Sequence, residues 1–113
     1  MLLGAEEAGL ELLTQDGRWI PVSPRAGELV INMGDMLQRL TNGKLRSTTH
    51  RVVNPTPDRA SKARHSMPFF LHFRSDFLIE ALPETVPAGE QPRWPPITAN
   101  DYLQERLREI KLV

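Results

Sequence analysis

The sequence predicts an all-β domain that ends in one helix. Three observations carry this. Turn-forming pairs stand at Asp16-Gly17, Gly34-Asp35 and Asn42-Gly43, each between short runs rich in Leu, Val, Ile or Trp. Prolines interrupt the later part of the chain, where Pro83, Pro87, Pro92, Pro95 and Pro96 fall within fourteen residues. A long helical spacing of apolar residues occurs only at the end, in Tyr102, Leu103, Leu107 and Ile110. Short strands at such spacing suggest a sandwich or a barrel.

The elements follow in order. Leu10 to Thr14 and Trp19 to Val22 read as two strands of a hairpin turning at Asp16-Gly17. Glu28 to Met33 is expected as a third strand, broken by Gly34-Asp35. Asp35 to Leu40 fits one helical turn, with Asp35 as its cap. Asn42-Gly43 then turns the chain into a fourth strand, Leu45 to Val53. Asn54 to Ala63 is polar and proline-bearing, so an exposed loop is expected. Arg64 to Phe73 reads as a fifth strand, and Pro83 to Pro96 as an extended wrap. Thr98 is placed to cap the terminal helix, with Asp101 three residues on.

The bulk numbers exclude several classes of function. At 113 residues the chain fits one small domain. Its net charge is +0, so nothing draws the whole molecule to nucleic acid or to an anionic membrane. The charge is uneven, however. Arg39 to Arg74 holds eight basic residues against the single acid Asp58, which leaves a nucleic-acid binder as the weakest of the readings. With no cysteine there is no disulfide, thiolate metal site or cysteine nucleophile. No apolar run approaches the ~20 residues of a membrane span. The start, MLLGAEEAG, lacks the basic and apolar regions of a secretory signal, and a cytoplasmic protein is expected.

Candidate chemistry sits on the fourth and fifth strands. Strand alternation puts Arg46, Thr48, His50 and Val52 on one face, and Leu45, Ser47, Thr49, Arg51 and Val53 on the other. In the fifth strand Arg64, Ser66, Pro68 and Phe70 share one face, with His72 continuing it. His65, Met67, Phe69, Leu71 and Phe73 form a second, nearly apolar face. A lone strand histidine is more often a surface residue than a ligand, and His65 and His72 are read that way. Arg64 and Ser66 together offer a planar fork and a hydroxyl, a pairing suited to a carboxylate.

One set of residues, in register along the chain, gives His50 a sharper reading. Gly9-Leu10, Asn32-x-Gly34-Asp35, Gln38, Thr41-Asn42-Gly43, Ser47, His50-Arg51-Val52, Arg64-x-Ser66 and Pro68-Phe69-Phe70 run in the order found in one enzyme family. The sequence resembles the Fe(II)/2-oxoglutarate-dependent dioxygenases, in their isopenicillin N synthase-like branch. The resemblance reaches from about Leu2 to the terminal helix. It implies a double-stranded β-helix, or jelly roll, of which this chain would be the C-terminal part. Residues 1–82 would belong to the jelly-roll domain, and 83–113 would form the proline-rich wrap and helix.

The resemblance also implies roles. Iron would be held by two histidines and a carboxylate, and His50 matches the later histidine. Arg64 matches the arginine that pairs with the far carboxylate of 2-oxoglutarate, and Ser66 its hydroxyl partner. Oxidation of a small organic substrate would follow. The other two ligands come in the family from a His-x-Asp motif. None of His50, His65 and His72 has an aspartate two residues later. The isolated chain is therefore expected to be inactive and to hold Fe(II) and 2-oxoglutarate poorly. Two further expectations follow. His50, Arg64 and Ser66 should share a cavity, and exposed apolar positions such as Leu29, Ile31, Met67 and Phe69 should drive a homodimer. The competing reading is a non-catalytic jelly-roll module that binds a partner or a small acid.

Overall fold

The computed structural model describes residues 9–54, 57 and 65–112, and the backbone of Leu2 and Leu3. Among these residues there are eight short strands. They are β1 (Leu2–Leu3), β2 (Leu10–Leu13), β3 (Trp19–Pro21), β4 (Leu29–Val30), β5 (His50–Val52), β6 (Met67–Pro68), β7 (Leu78–Ile79) and β8 (Ile97–Thr98). Two helices join them, α1 (Asp35–Leu40) and α2 (Ala99–Glu109), with a 3₁₀ turn at Pro83–Thr85. The β-rich architecture with a terminal helix is as expected. The chain divides into two compact units, residues 1–32 with 48–70, and residues 33–47 with 71–113.

The first unit holds two antiparallel sheets, ordered β4-β1-β6 and β3-β2-β5. The expected hairpin forms, with Leu13 opposite Trp19 and Leu12 opposite Ile20. Its turn needs a left-handed residue, which Gly17 supplies at φ 82°. The Thr14 hydroxyl and then the Arg18 guanidinium hold the exposed Asp16 carboxyl below its usual range across this turn. Proline limits the outer strands. Pro21 ends β3 and Pro68 ends β6, both at sheet edges where a missing N–H breaks no central ladder.

The third, fourth and fifth strands are shorter than the sequence pattern suggests. The fourth was expected over Leu45–Val53, but only His50–Val52 is laddered. The reason lies in its donors. Leu45 N–H donates to Thr41 Oγ1 at 3.1 Å and Ser47 N–H to Gln38 Oε1 at 2.7 Å, so the early part is tied to side chains at α1 and its end. The fifth is laddered only at Met67–Pro68 and the third only at Leu29–Val30, where β1 offers two residues to pair with. Of the expected loop, Asn54 and Pro57 are exposed, and its other residues lie outside those described.

The second unit is built around α1, α2 and the β7–β8 pair. Asp35 does not cap α1. Gly34 occupies the cap position in extended backbone, and Asp35 is the acid of the first turn, where its charge suits the helix dipole. The far end of α1 closes in a Schellman arrangement. Gly43 N–H reaches Gln38 O at 2.8 Å and Asn42 N–H reaches Arg39 O at 3.1 Å, with Asn42 in the left-handed region at φ 51°. Asn42 is also buried and used twice more. Its Nδ2 donates to Thr85 O at 3.3 Å, and its Oδ1 accepts from Arg93 N–H at 2.9 Å. The side chain thus ties the helix end to the proline-rich segment.

Thr98 caps α2 as expected, accepting from Asp101 N–H at 3.1 Å. The N–H groups of Ala99 and Asn100 are taken by Phe77 O and Ser75 O, so the helix start is fixed to the β7 side of the unit. Ile79, Ala99 and Tyr102 form the core, with Met36, Leu40, Phe73 and Ile97 packed against it. Ile79 is fully buried, a gain of about 1.5–3 kcal/mol. The apolar face of α2 ends early. Tyr102 is buried and Leu103 and Leu107 are half-buried, but Ile110 lies past the last turn and is exposed. No helix among the described residues is long and apolar enough to cross a membrane.

Two outcomes are expected. Asn42→Ala loses both buried hydrogen bonds and puts a Cβ-bearing residue with no local bond into the left-handed region. Thermal unfolding should show a loss of roughly 2–3 kcal/mol, and Asn42→Gly should recover only the backbone share. The second outcome concerns Tyr102, the only tyrosine of the chain. Burial, and next the Asp35 charge, push its hydroxyl pKa above 10.0. The unfolded chain therefore releases this proton first, so stability should fall as pH rises past the unfolded value. Tyrosinate absorbance should titrate later in the folded than in the unfolded chain. Tyr102→Phe should flatten that pH dependence.

Candidate functional site

His50 owes its position to the pairing of β5 with β2. Val52 lies opposite Leu10, Arg51 opposite Glu11 and His50 opposite Leu12. Directly paired residues share a sheet face. Leu10, Leu12, Ile20, His50 and Val52 thus form one face, and Glu11, Leu13, Trp19, Pro21 and Arg51 the other. The alternation expected for His50, Arg51 and Val52 is the one found.

The face away from His50 locks this register. Arg51 Nε donates to Glu11 Oε2 at 2.8 Å, and its guanidinium carbon lies 4.0 Å from the centre of the Trp19 ring. One arginine thereby links all three strands of the sheet. The ladder continues beyond the strand ends, with Leu13 N–H to Thr49 O and Val53 N–H to Gly9 O, both at 2.9 Å.

On its own face His50 is exposed, but its ring is not free to turn. Nδ1 lies 3.1 Å from Thr48 O and 3.1 Å from Asn32 Nδ2. Nε2 makes no hydrogen bond among the described residues. An imidazole whose Nδ1–H is held by a main-chain carbonyl presents the Nε2 lone pair, the usual arrangement of a metal-ligating histidine. His50 thus fits one position of an iron site. Among the described residues, no three His, Asp or Glu side chains are grouped to hold a metal.

Ser66 is exposed and immediately precedes β6, whereas His50 lies on β5 of the other sheet. Arg64 lies outside the described residues, so its place beside Ser66 and His50 remains an expectation. His65 and His72 are both exposed. Asn32 is the contact that strand alternation could not supply. It stands 18 residues from His50, and no spacing rule links an asparagine after one strand to a histidine on another.

Four basic residues of the middle segment make structural contacts. Arg39 donates to Pro95 O, Lys44 to Glu84 O, Arg51 to Glu11 and Arg74 to Asp76. A cleft of about 290 Å³ in the second unit is lined by Arg39, Trp94, Tyr102 and Arg106 among others. Both guanidinium carbons lie near the Tyr102 ring centre, at 5.1 and 5.2 Å, and both Nε atoms are shut off from solvent without a hydrogen-bond partner. These cations clasp the aromatic ring rather than wait for a ligand.

Comparison with known proteins places the molecule. The profile of the 2OG-Fe(II) oxygenase superfamily matches residues 1–73. The chain belongs to this superfamily. It is similar to a 2-oxoglutarate-Fe(II) type oxidoreductase, hxnY, of Emericella nidulans, with 38% identity over 105 residues. That match covers 92% of this chain and 29% of the relative. A 2OG-Fe(II) oxygenase family protein of Caulobacter crescentus has a solved structure 58% identical to it, with a TM-score of 0.86, over 96% of this chain and 36% of that one. A Neurospora crassa protein, solved at full length with alpha-KG and thymine, is 30% identical with a TM-score of 0.83, over 96% of this chain and 33% of that one. The chain spans about three-tenths of the length of the first curated relatives it matches. Its fold is accordingly the C-terminal part of the oxygenases' double-stranded β-helix, and iron and 2-oxoglutarate are the cofactors of its family.

Proposed function

We propose that this 2OG-Fe(II) oxygenase chain is the cosubstrate end of an active site that oxidises a small organic molecule. Iron, when bound, supplies the oxidising chemistry while 2-oxoglutarate is consumed. Of this chain's residues, His50 would supply one ring nitrogen to the metal, Arg64 is the residue that would pair with the far carboxylate of 2-oxoglutarate, and the Ser66 hydroxyl would assist it. The ring of His50, held through Nδ1 on β5, is the observation that carries this reading. The remaining ligands must come from outside the described residues. The isolated chain is accordingly read as inactive, and as cytoplasmic, consistent with the absence of cysteine.

We also propose that the isolated chain forms a homodimer. Leu29 and Met67 both pair with Leu3, so they share one face of the β4-β1-β6 sheet. They are 52% and 68% exposed, and Ile31 and Phe69, two residues further along, are 62% and 57% exposed. An apolar row of this kind, on a sheet whose outer strands β4 and β6 have no further strand partner among the described residues, is a surface that a second copy can cover.

The functional reading is tested in a full-length frame. Exchanging the matching part of the Caulobacter crescentus protein for this chain should give a protein that binds Fe(II) and 2-oxoglutarate, read by calorimetry. His50→Ala should weaken iron by about 100-fold or more. Arg64→Lys should weaken 2-oxoglutarate at least about tenfold, because one ammonium cannot replace a fork. Iron affinity unchanged in His50→Ala would overturn the assignment. For assembly, sedimentation at micromolar concentration should give a dimer, and Leu29→Glu with Met67→Glu should shift it to monomer. A monomer with a cooperative melt in the parent chain would refute the dimer.

A further inference from the structure

We infer that Asn32 is a positioning residue for His50, one that fixes which ring nitrogen carries the proton. This deepens the reading of His50 as a metal ligand and rests on it. Nδ1 faces two groups at the same 3.1 Å separation, the Thr48 carbonyl oxygen and Asn32 Nδ2. A carbonyl oxygen can only accept, so the Thr48 contact is a hydrogen bond only when Nδ1 bears hydrogen. A second N–H pointing at the same hydrogen would repel it. With Nδ1 bare, the Asn32 NH₂ would be satisfied, but two lone pairs would then meet across the Thr48 contact.

Both contacts become favourable in one arrangement. The nitrogen and oxygen of an asparagine amide exchange by a half-turn of the side chain, with no change in volume. With Oδ1 turned to the ring, Asn32 and Thr48 both accept from Nδ1–H. The proton is then fixed on Nδ1, and Nε2 keeps its lone pair for a metal. The sheet contributes as well. His50 is paired with Leu12, so its main chain cannot slide, and the only freedom left to the ring is rotation about its side-chain bonds. Asn32 and Thr48 oppose that rotation from two different segments of the first unit.

The test is nitrogen-15 NMR of the histidine rings in the full chain at neutral pH, which distinguishes the two tautomers without any metal. Three histidines are present, and His50→Gln identifies the signal. His50 should be protonated on Nδ1. Asn32→Asp, whose carboxylate only accepts, should keep that pattern. Asn32→Ala, which leaves the Thr48 carbonyl as the one acceptor at Nδ1, should move His50 part of the way toward the Nε2–H form that free imidazole prefers in water, leaving His65 and His72 unchanged. In the full-length frame Asn32→Ala should also weaken iron binding about tenfold. The inference is overturned if His50 of the parent chain carries its proton on Nε2, or if Asn32→Ala leaves its ring signals in place. Failure of iron binding in the full-length frame, with the Nδ1–H pattern intact, would instead overturn the reading of His50 as a ligand.

Discussion

The pairing of β5 with β2 is the constraint on which the candidate site depends. Strand side chains alternate, so a slip of one residue would put Arg51 where His50 stands and turn the imidazole to the opposite face. The protein guards against this with Arg51 itself. Its bond to Glu11 and its stacking on Trp19 satisfy it only in the observed register. Each contact is partly exposed and worth under about 1 kcal/mol. Their value lies in choosing between registers, since the slipped alternative would lose both together.

The second unit solves a different problem, the joining of a short helix to a proline-rich segment that has few backbone donors. Asn42 does this from a position that most side chains avoid. The left-handed backbone lets Gly43 and Asn42 N–H groups close the end of α1, and the same side chain then binds one acceptor and one donor beyond it. Gly43 is needed for a second reason. A Cβ there would come within 2.9 Å of the Arg93 guanidinium, in addition to the strain of φ 84°. The arginines of this unit likewise serve the fold, with Arg39 and Arg106 both set against Tyr102. Of the basic run that reads as a patch in the sequence, Arg39, Lys44, Arg51 and Arg74 are thus divided among separate carbonyls and carboxylates.

On the proposed reading, the chain would supply one side of an oxygenase centre. A single imidazole cannot hold Fe(II), and the described residues show no group of three or more His, Asp or Glu side chains that could hold a metal. On that reading His50 is a prepared donor, its Nδ1 placed 3.1 Å from both a main-chain carbonyl and Asn32 Nδ2. Preparation of this kind has a cost in conformational freedom and brings little to a strand for its own sake. It makes sense where a ring nitrogen must meet a metal in one orientation.

The sequence by itself determined the family, through the order of motifs along the chain, and the β-rich class, the hairpin at Asp16-Gly17 and the cap at Thr98, because each of these depends on residues near one another in the chain. It also determined which face of its strand carries His50, since alternation needs only local geometry. The extents of the strands were not legible. Thr41 and Gln38 take the donors of Leu45 and Ser47, and no propensity of the fourth strand reveals that competition. The partner of His50 was not legible either. Asn32 appeared only as a family letter, and its contact with Nδ1 exists because β2, β3 and β5 are assembled with the segment that follows β4. Contacts between distant segments depend on how whole strands are registered and packed, and only the tertiary structure decides which polar group ends up within hydrogen-bond reach of which ring.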